Sequence, residues 1–230
     1  MKAFVLAGGF GTRLRPRFGD LPKPLVPLAG RPFLERQLAW LHAAGIREAV
    51  LCVGYGADQV RAALGDGGSL GVRIVYSAER EPLGTGGALK LAEPFVDGPS
   101  LVANGDTLVT CEPWAIERAR WESGWIGAIG LFRVAEAASR GRVECGPDGR
   151  VLRFLEKDPE HRGPAWVNGG VYTFSAALWR HLPAGPSSLE RDVLPALAER
   201  GRLGGVQVDG EFFDIGTPEE WERAERHFAT

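Results

Sequence analysis

The sequence has few lysines, few cysteines and no long apolar run. Four of its 27 basic residues are lysines (Lys2, Lys23, Lys90 and Lys157), and the rest are arginines. The three cysteines are far apart and form no Cys-x-x-Cys pair, which argues against a zinc site and a disulfide framework. No apolar stretch is long enough to span a membrane, and the run that begins at Ala3 is too short for a signal peptide. We therefore expect a cytoplasmic protein with reduced thiols and no membrane partner.

The charges of the chain are balanced, and its glycine content is high. The 27 basic and 29 acidic residues leave a net charge of −2 without a basic stripe or tail, so no nucleic-acid partner is expected. Glycine accounts for 32 of 230 residues, about twice its average usage. Because glycine allows both turns and close approach of the backbone to a ligand, the glycine clusters indicate candidate ligand loops.

Short apolar runs alternate with amphipathic stretches in the first half of the chain. Runs of this kind are typical of strands buried on both faces. The predicted strands cover residues 3–7, 49–53, 72–76 and 101–103. The predicted helices cover residues 32–44, 57–64 and 86–92. This alternation predicts an α/β fold with a mixed, mostly parallel central sheet and helices on both faces.

The second half of the chain is less regular and predicts an antiparallel insertion. Turn signals at Pro147-Asp148-Gly149 and at Asp209-Gly210 predict two hairpins, one over 142–155 and one over 205–213. Further strands are expected at 125–134 and 171–174, and helices at 189–200 and after the N-cap residue Thr217. No internal repeat or linker is visible, which favours a single domain over 1–230.

A glycine cluster follows the first predicted strand, in Leu6-Ala7-Gly8-Gly9-Phe10-Gly11-Thr12-Arg13-Leu14. Successive backbone N–H groups in such a loop can surround phosphate oxygens, and an arginine suits multidentate phosphate contact. The segment is not a P-loop, because no lysine follows, and not a dinucleotide fingerprint, because Leu14 stands where a glycine is required. It predicts another kind of phosphate loop, with a plain βα turn and a surface arginine as the alternative.

The second candidate site is the proline-rich segment Leu21-Pro22-Lys23-Pro24-Leu25-Val26-Pro27. Each proline fixes its own φ and biases the residue before it, so we expect a stiff, extended segment. A stiff segment loses little conformational freedom when its lysine contacts a phosphate. The alternative is a solvent-exposed lysine in a proline-rich loop.

Together the two segments resemble the signature of sugar-1-phosphate nucleotidylyltransferases, including the spacing from Gly8 to Lys23. The resemblance continues along the chain and implies a Rossmann-like, GT-A-like nucleotide-diphospho-sugar transferase fold. It implies a nucleotide-binding half at 1–110, a sugar-phosphate-binding half at 111–230 and no C-terminal β-helix. The nucleotide-binding residues that it implies are Leu6, Ala7, Gly8, Gly9, Gly11, Thr12, Arg13, Glu79, Gly84 and Thr85.

The segment Pro82-Leu83-Gly84-Thr85-Gly86-Gly87-Ala88 resembles the base-recognition segment of that family. Gly84 would let backbone groups reach a planar base. The Glu79 carboxylate could accept hydrogen bonds from the N1–H and amino edge of guanine, although the N3–H of uracil would also suit an acceptor.

Two aspartates resemble the metal ligands of the family. Asp106 ends the run Asn104-Gly105-Asp106, and Asp214 lies within Phe212-Phe213-Asp214-Ile215-Gly216-Thr217-Pro218. Carboxylates, phosphate oxygens and water are the ligands that Mg²⁺ prefers. Both aspartates follow short apolar runs, as expected at the carboxyl ends of strands, where open α/β sheets bind ligands.

The sugar side carries its own resemblance, in Glu156-Lys157 and in Asn168-Gly169-Gly170-Val171-Tyr172. Glu156 would hold sugar hydroxyl groups and Lys157 the sugar phosphate. Asn168 would bond a hydroxyl group where Gly169 permits close approach, and Asn104 is assigned to the same sugar-phosphate site.

The resemblance implies the transfer of a nucleotidyl group from an NTP to a sugar 1-phosphate, with release of pyrophosphate. Arg13, Lys23 and Asp106 are the implied catalytic residues, Mg²⁺ is the cofactor, and Asp106 and Asp214 are its ligands. GTP is the favoured nucleotide, and a monomer or homodimer is expected. The short D-glycero-α-D-manno-heptose 1-phosphate guanylyltransferases are most similar. Mannose-1-phosphate guanylyltransferases and uridylyltransferases acting on N-acetylmuramic acid or hexose 1-phosphate are the alternatives.

A non-catalytic regulator on the same fold is an alternative of another class. Such a protein would be expected to lose Lys23 or a metal-binding aspartate, and the sequence retains Lys23, Asp106 and Asp214.

Overall fold

The structure is a computed structural model that describes residues 1–137, 141–155 and 159–229. Its strands are β1 (Lys2–Ala7), β2 (Pro27–Leu28), β3 (Arg31–Pro32), β4 (Glu48–Val53), β5 (Arg73–Ala78), β6 (Ser100–Asn104), β7 (Thr107–Val109), β8 (Gly127–Val134), β9 (Arg142–Cys145), β10 (Val151–Leu155), β11 (Ala165–Phe174), β12 (Leu203–Gln207) and β13 (Phe212–Asp214). Its helices are α1 (Arg15–Phe18), α2 (Phe33–Ala43), α3 (Ala57–Leu64), α4 (Gly84–Leu91), α5 (Pro113–Glu122), α6 (Leu194–Glu199) and α7 (Pro218–Phe228), and a π-helical turn covers Leu189–Val193.

The central sheet confirms the predicted mixed α/β architecture. Strands β5, β4, β1 and β6 run parallel in that order. Strand β11 joins β6 antiparallel, β8 joins β11, and β12 closes this edge parallel to β8. The β9–β10 hairpin forms as predicted and branches from β11 at the pair Val167↔Arg142.

The direction of strand addition reverses between β1 and β6. From β1 the chain moves to β4 and β5 on one side, and then crosses to β6 on the other. The loops that leave the carboxyl ends of β1 and β6 therefore diverge and leave a crevice between them, which is where open α/β sheets bind ligands. The glycine loop follows β1 and Asp106 follows β6, so the topology brings these two segments together.

Alternate residues of the buried strands pack into two separate cores, because side chains point to opposite faces of a sheet. On β1, Ala3 and Val5 pack against apolar residues of α2 and α3, including Leu38. Phe4, between them, packs on the other face against α4 and α6, including Leu89. Helices thus cover both faces of the sheet, as expected. No helix within the described residues is long and apolar enough to cross a membrane.

A third apolar cluster joins α7 to the short strands beside the crevice. It holds Phe33, Leu108, Phe213 and Trp221. The predicted start of α7 is confirmed, because the Thr217 hydroxyl accepts a hydrogen bond from the Glu220 backbone N–H at 3.3 Å. This cluster fixes the strand that ends at Asp214.

The predicted hairpin over Asp209-Gly210 is wrong. Strand β12 pairs parallel with β8, whereas β13 pairs antiparallel with β7, a strand that the sequence pattern did not reveal. Gly210 does adopt a positive φ of 136°, so the turn signal is real. A turn between two apolar runs does not determine whether the two strands pair with each other or with different neighbours.

Two further expectations are corrected by the structure. The predicted helix over 189–200 begins with the π-helical turn and becomes α-helical only at Leu194. The segment around Lys23 is not extended throughout, because Lys23–Leu25 forms a single 3-10 turn after Pro22. Pro24 is tolerated in that turn because an N–H at this position would have no acceptor within the turn, so the missing hydrogen of proline costs nothing. Helix α5 is an additional element that the sequence pattern does not predict.

Candidate active site

The glycine loop leaves β1 and turns back against Lys23. Gly11 adopts a left-handed conformation with φ +59°, and a β-carbon there would lie 3.0 Å from the Lys23 β-carbon, so both conformation and space favour glycine. The backbone amides of Gly9 and Phe10 donate to no protein acceptor among the residues that the structure describes. These amides remain available to an anionic ligand.

Lys23 is buried and pairs with Asp106. Its Nζ donates a hydrogen bond to Asp106 Oδ2 at 2.8 Å, and the residue is only 8% exposed. A buried lysine requires a partner, since an unpaired charge away from water is costly. The predicted solvent-exposed alternative for Lys23 is therefore excluded.

Asp106 is held beside the end of β1 by the turn that precedes it. The Gly105 N–H donates to the Leu6 carbonyl at 2.9 Å, and a β-carbon at Gly105 would lie 2.6 Å from that same oxygen. The buried Gln37 amide donates to the carbonyls of Asn104 and Thr107, both at 2.9 Å. Backbone contacts thus fix Asp106, which a larger residue at position 105 would displace.

Asp214 lies next to Asp106, although 108 positions separate them in the sequence. In the β13–β7 ladder Asp214 pairs with Thr107, and the Ile215 N–H donates to the Asp106 carbonyl at 3.0 Å. Burial raises the pKa of Asp214, and the negative charges of Asp106 and Glu220 raise it further, while Lys23 opposes this shift.

Two close carboxylates that repel each other form a donor set suited to a hard divalent cation such as Mg²⁺. No group of three or more histidine, cysteine, aspartate or glutamate side chains suited to a metal occurs among the described residues. Asp106 and Asp214 would therefore supply two ligands, and substrate oxygens and water would supply the others.

Arg13 reaches the same end of the crevice. Its side chain is exposed. Gly216 lies beside both Arg13 and Asp214, because a β-carbon added to Gly216 would be 3.1 Å from Arg13 Nη2 and 2.8 Å from Asp214 Oδ1. The Gly216 N–H also donates to Asp214 Oδ1 at 2.5 Å. Arg13, Lys23, Asp106 and Asp214 thus converge at one end of the crevice, which we call the charged end.

A cavity of about 400 Å³ opens next to the charged end, within the size range of small-molecule sites. It contains most of the predicted base and glycine-loop residues. Its lining residues are Leu6, Gly8, Gly9, Phe10, Cys52, Glu79, Pro82, Gly84, Thr85, Ala88, Asn104, Asp106 and Glu190. A larger groove of about 680 Å³ lies between the β9–β10 turn and β12, but Glu144, the one charged residue among the described residues that line it, already pairs with Arg153.

Glu79 braces the wall of this cavity. Its Oε2 accepts a hydrogen bond from the Leu83 N–H at 3.1 Å. Its Oε1 packs against Gly8 and Gly54, since a β-carbon added to either glycine would lie only 2.8 or 2.7 Å from that oxygen. Burial raises the pKa of Glu79, and the Leu83 hydrogen bond opposes this shift. The carboxylate therefore fixes the loop that leads to Gly84, while it still faces the predicted base site.

The sugar-side asparagine is held by its own strand. Asn168 Oδ1 accepts from the Gly170 N–H at 2.9 Å, and its amide donates to the Tyr172 hydroxyl at 2.9 Å. A β-carbon at Gly169 would lie 2.2 Å from the Phe132 ring, so Gly169 is needed for packing in the core. Tyr172 is fully buried, and burial raises its pKa well above the usual range, with a further contribution from Glu190.

The remaining predicted residues lie at the border of the site or outside the described residues, and Glu190 joins the site unpredicted. Glu156 and Lys157 lie outside the described residues. Thr12 and Ala7 border the glycine loop, and Ala7 lines a small adjoining cavity with Lys23. Glu190 lines the main cavity but was not predicted, because no local spacing links the π-helical turn to the glycine loop.

The chain is similar to known proteins over nearly its whole length. The family model described as "Nucleotidyl transferase" matches residues 2–230. A mannose-1-phosphate guanyltransferase of Aspergillus fumigatus is 37% identical over 227 residues, which cover 96% of this chain and 62% of that protein. The mannose-1-phosphate guanylyltransferase catalytic subunit beta of Drosophila pseudoobscura pseudoobscura is 35% identical, with 96% and 60% covered. The chain thus spans about three fifths of the length of these curated relatives.

Among solved structures, HddC from Yersinia pseudotuberculosis is 31% identical, with a TM-score of 0.84 and 99% of both chains covered. The same protein complexed with GMP-PN gives a TM-score of 0.82 at 29% identity. A Bacillus anthracis structure at 23% identity has a TM-score of 0.84 and shows the fold alone.

Proposed function

Because the chain belongs to the nucleotidyl transferase family, we propose that it is a sugar-1-phosphate guanylyltransferase. It would convert GTP and a sugar 1-phosphate into a GDP-sugar and pyrophosphate. The observation that carries the proposal is the convergence of Lys23, Asp106 and Asp214 beside the 400 Å³ cavity. The mannose-1-phosphate guanylyltransferases among its relatives support guanine as the base.

The proposed sugar has the α-D-manno configuration. The sequence motifs favour D-glycero-α-D-manno-heptose 1-phosphate, and the curated relatives favour mannose 1-phosphate as the second candidate. The two substrates share their pyranose ring stereochemistry and differ in the substituent beyond C5. Residues that contact the shared ring cannot separate them, so the choice depends on the part of the pocket that receives the extra carbon.

The proposed reaction needs charge stabilisation more than proton transfer. An oxygen of the sugar phosphate attacks the α-phosphorus of GTP in line, and pyrophosphate leaves. The attacking oxygen is already ionised, so no general base is required. The barrier comes mainly from bringing polyanions together, which positioning and preorganised charge can lower. Arg13 and the free amides of the glycine loop would hold the β- and γ-phosphates. Lys23 would move from Asp106 to the space between the two reacting phosphates.

Asp106 and Asp214 would hold the Mg²⁺. Bound there, the ion would supply charge neutralisation on phosphate oxygens and on the leaving pyrophosphate. Asn104, Asn168, Gly169, Glu156 and Lys157 are proposed to hold the sugar 1-phosphate. We also propose a cytoplasmic location, where nucleoside triphosphates are available, and a monomeric or homodimeric state.

A pyrophosphate-release assay tests this function directly. The full chain is mixed with Mg²⁺ and each of GTP, UTP, dTTP, CTP and ATP, together with heptose, mannose or N-acetylmuramic acid 1-phosphate. We expect the fastest release with GTP and a manno-configured sugar, and a product mass equal to that of a GDP-sugar. Release with UTP alone would replace the base assignment. Absence of release with every pair, from folded protein that still binds nucleotide, would indicate a non-catalytic regulator.

A further inference from the structure

The roof of the cavity is built from two segments that lie about 100 positions apart in the sequence. The Ser187 N–H donates to the Leu83 carbonyl at 2.9 Å, and the Ser187 carbonyl accepts from the N–H groups of Gly86 and Gly87 at 2.9 and 3.3 Å. The Gly86 and Gly87 amides in the first turn of α4 are therefore already bonded to protein. The segment that begins at Ser187 is fixed against the predicted base segment.

Side chains complete this connection. The Thr85 hydroxyl donates to Glu190 Oε2 at 2.7 Å and accepts from the Leu189 N–H at 2.8 Å. The Ser188 hydroxyl also donates to Glu190 Oε2, at 3.2 Å. We call this set of hydrogen bonds between 83–87 and 187–190 the roof clamp. It holds the Glu190 carboxylate in one orientation before any ligand arrives.

Glu190 combines three properties that a purely structural residue does not need. Its side chain lines the 400 Å³ cavity together with Glu79, Asn104 and Asp106. Both described hydrogen bonds use Oε2, so Oε1 has no hydrogen-bond donor among the described residues. It lies on a π-helical turn. This geometry is rare in proteins as a whole, and where it occurs it is frequently at a functional site.

We propose that Glu190 binds a vicinal diol of the substrate, with Oε1 accepting hydrogen bonds from one or both hydroxyl groups. A fixed carboxylate is an acceptor only, so it suits hydroxyl donors and repels phosphate. The ribose of a nucleotide and the pyranose of a sugar 1-phosphate both carry such a diol. The position favours the ribose, because the cavity extends from the predicted base residue Glu79 to the predicted metal ligand Asp106, and ribose joins base to phosphate. This inference rests on the proposed function.

The test compares nucleotides that differ only in the ribose. Dissociation constants of GTP, 2′-deoxy-GTP and 2′,3′-dideoxy-GTP are measured by calorimetry on the full chain, without sugar, so turnover does not contribute. We expect wild-type protein to bind GTP about tenfold more tightly than the dideoxy analogue, the loss typical of one charge-assisted hydrogen bond. Glu190→Gln should weaken GTP binding and leave the dideoxy analogue within about twofold, because the diol no longer meets a carboxylate.

A matched control and a second arm separate the alternatives. Asp192→Asn alters an exposed carboxylate of the same turn that does not line the cavity, and its amide oxygen can still accept the hydrogen bond from the Ser188 N–H, so the ratio of the GTP and dideoxy-GTP dissociation constants should not change. In the second arm, mannose 1-phosphate and its 2-deoxy analogue are titrated into protein saturated with α,β-methylene-GTP, in which the bond between the α- and β-phosphate groups cannot be displaced. Wild-type protein is expected to bind mannose 1-phosphate more tightly than the 2-deoxy analogue if Glu190 contacts the sugar. If Glu190→Gln removes this preference and leaves the preference for GTP over dideoxy-GTP unchanged, the diol that Glu190 binds belongs to the sugar.

Two results would overturn the proposal. If Glu190→Gln weakens all ligands equally in both arms, the residue is only part of the roof clamp. If wild-type protein binds no nucleotide, both the role of Glu190 and the proposed function are wrong. The titration of wild-type protein with GTP shows this before any variant is made.

Discussion

The charged end and the roof clamp both contribute residues to the same cavity, but they are built in different ways. At the charged end, Lys23, Asp106 and Asp214 interact through ionisable side chains, of which Lys23 is buried. At the roof clamp, the Thr85 hydroxyl donates to Glu190 and accepts from the Leu189 N–H, so the donors are neutral groups. Because full or partial charges act at one region and neutral hydrogen bonds at the other, substitutions in the two regions should impair the enzyme in different ways. Loss of the charged end should slow chemistry, and loss of the roof clamp should weaken binding.

The largest effect is expected from the ion pair at the charged end. Lys23→Ala and Asp106→Asn should each lower kcat by about 100-fold or more, the scale of losing one preorganised charge that stabilises the transition state. Steady-state kinetics at saturating GTP measure the loss. Lys90→Ala and Asp97→Asn, which alter residues outside the crevice, are matched controls that should stay within about threefold of wild type. Near-normal turnover in Lys23→Ala would remove the catalytic assignment.

The next largest effect is expected at Asp214, where one substitution should change activity and stability in opposite directions. Asp214→Asn should lower kcat by about tenfold to 100-fold and yet raise Tm in the absence of metal and substrate. The pKa of Asp214 is raised in the folded protein by burial and by Asp106, so the folded state disfavours the ionised form. As pH rises above the pKa that this carboxyl has in the unfolded chain, ionisation of Asp214 lowers the free energy of unfolding. The asparagine variant has no carboxyl to ionise and does not lose this stability.

The gain in Tm should therefore be larger at pH 8 than at pH 4, which thermal melts at several pH values can measure. Equal Tm differences at both pH values would contradict this explanation. A fall in Tm at pH 8 would show that the hydrogen bond from Gly216 matters more than the buried charge.

The smallest effect is expected at the roof clamp. Thr85→Val removes the hydroxyl that joins Glu190 to Leu189, and it should raise the KM for GTP by about threefold to tenfold with little change in kcat. Thr85→Ser keeps the hydroxyl and should restore wild-type KM. If Thr85→Val instead lowers kcat as much as Asp106→Asn does, the functional distinction between the two regions is lost.

The charged end was largely predictable from sequence, because each of its segments carries local constraints. Glycines at 8, 9 and 11 and the prolines around Lys23 mark unusual backbone, and Asp106 and Asp214 each follow a short apolar run. The fold class was predictable for a similar reason, since buried strands and amphipathic helices have distinct periods. The ion pair between Lys23 and Asp106 still required the structure.

The roof clamp was not predictable from sequence. Thr85 and Glu190 are 105 positions apart, and a glutamate in a predicted helix has no local feature that distinguishes it from a solvent-exposed residue. The partners of β12 and β13 were missed for the same physical reason: the apolar pattern specifies that a strand is buried, but not which strand lies beside it. Contacts between distant segments are decided by packing of the whole chain.

The roof clamp also has a consequence for how the protein folds. A cavity closed by residues from 83–87 and 187–190 cannot exist until most of the chain has been synthesised, because its second half supplies one of the two segments. Contacts of such long sequence separation form late, after the entropy of closing a long loop has been offset by other packing. The first 110 residues contain the glycine loop, Lys23 and Asp106, yet a ribosome-bound chain of that length would have no roof over its nucleotide cavity. Competence to bind nucleotide should thus arise late in folding.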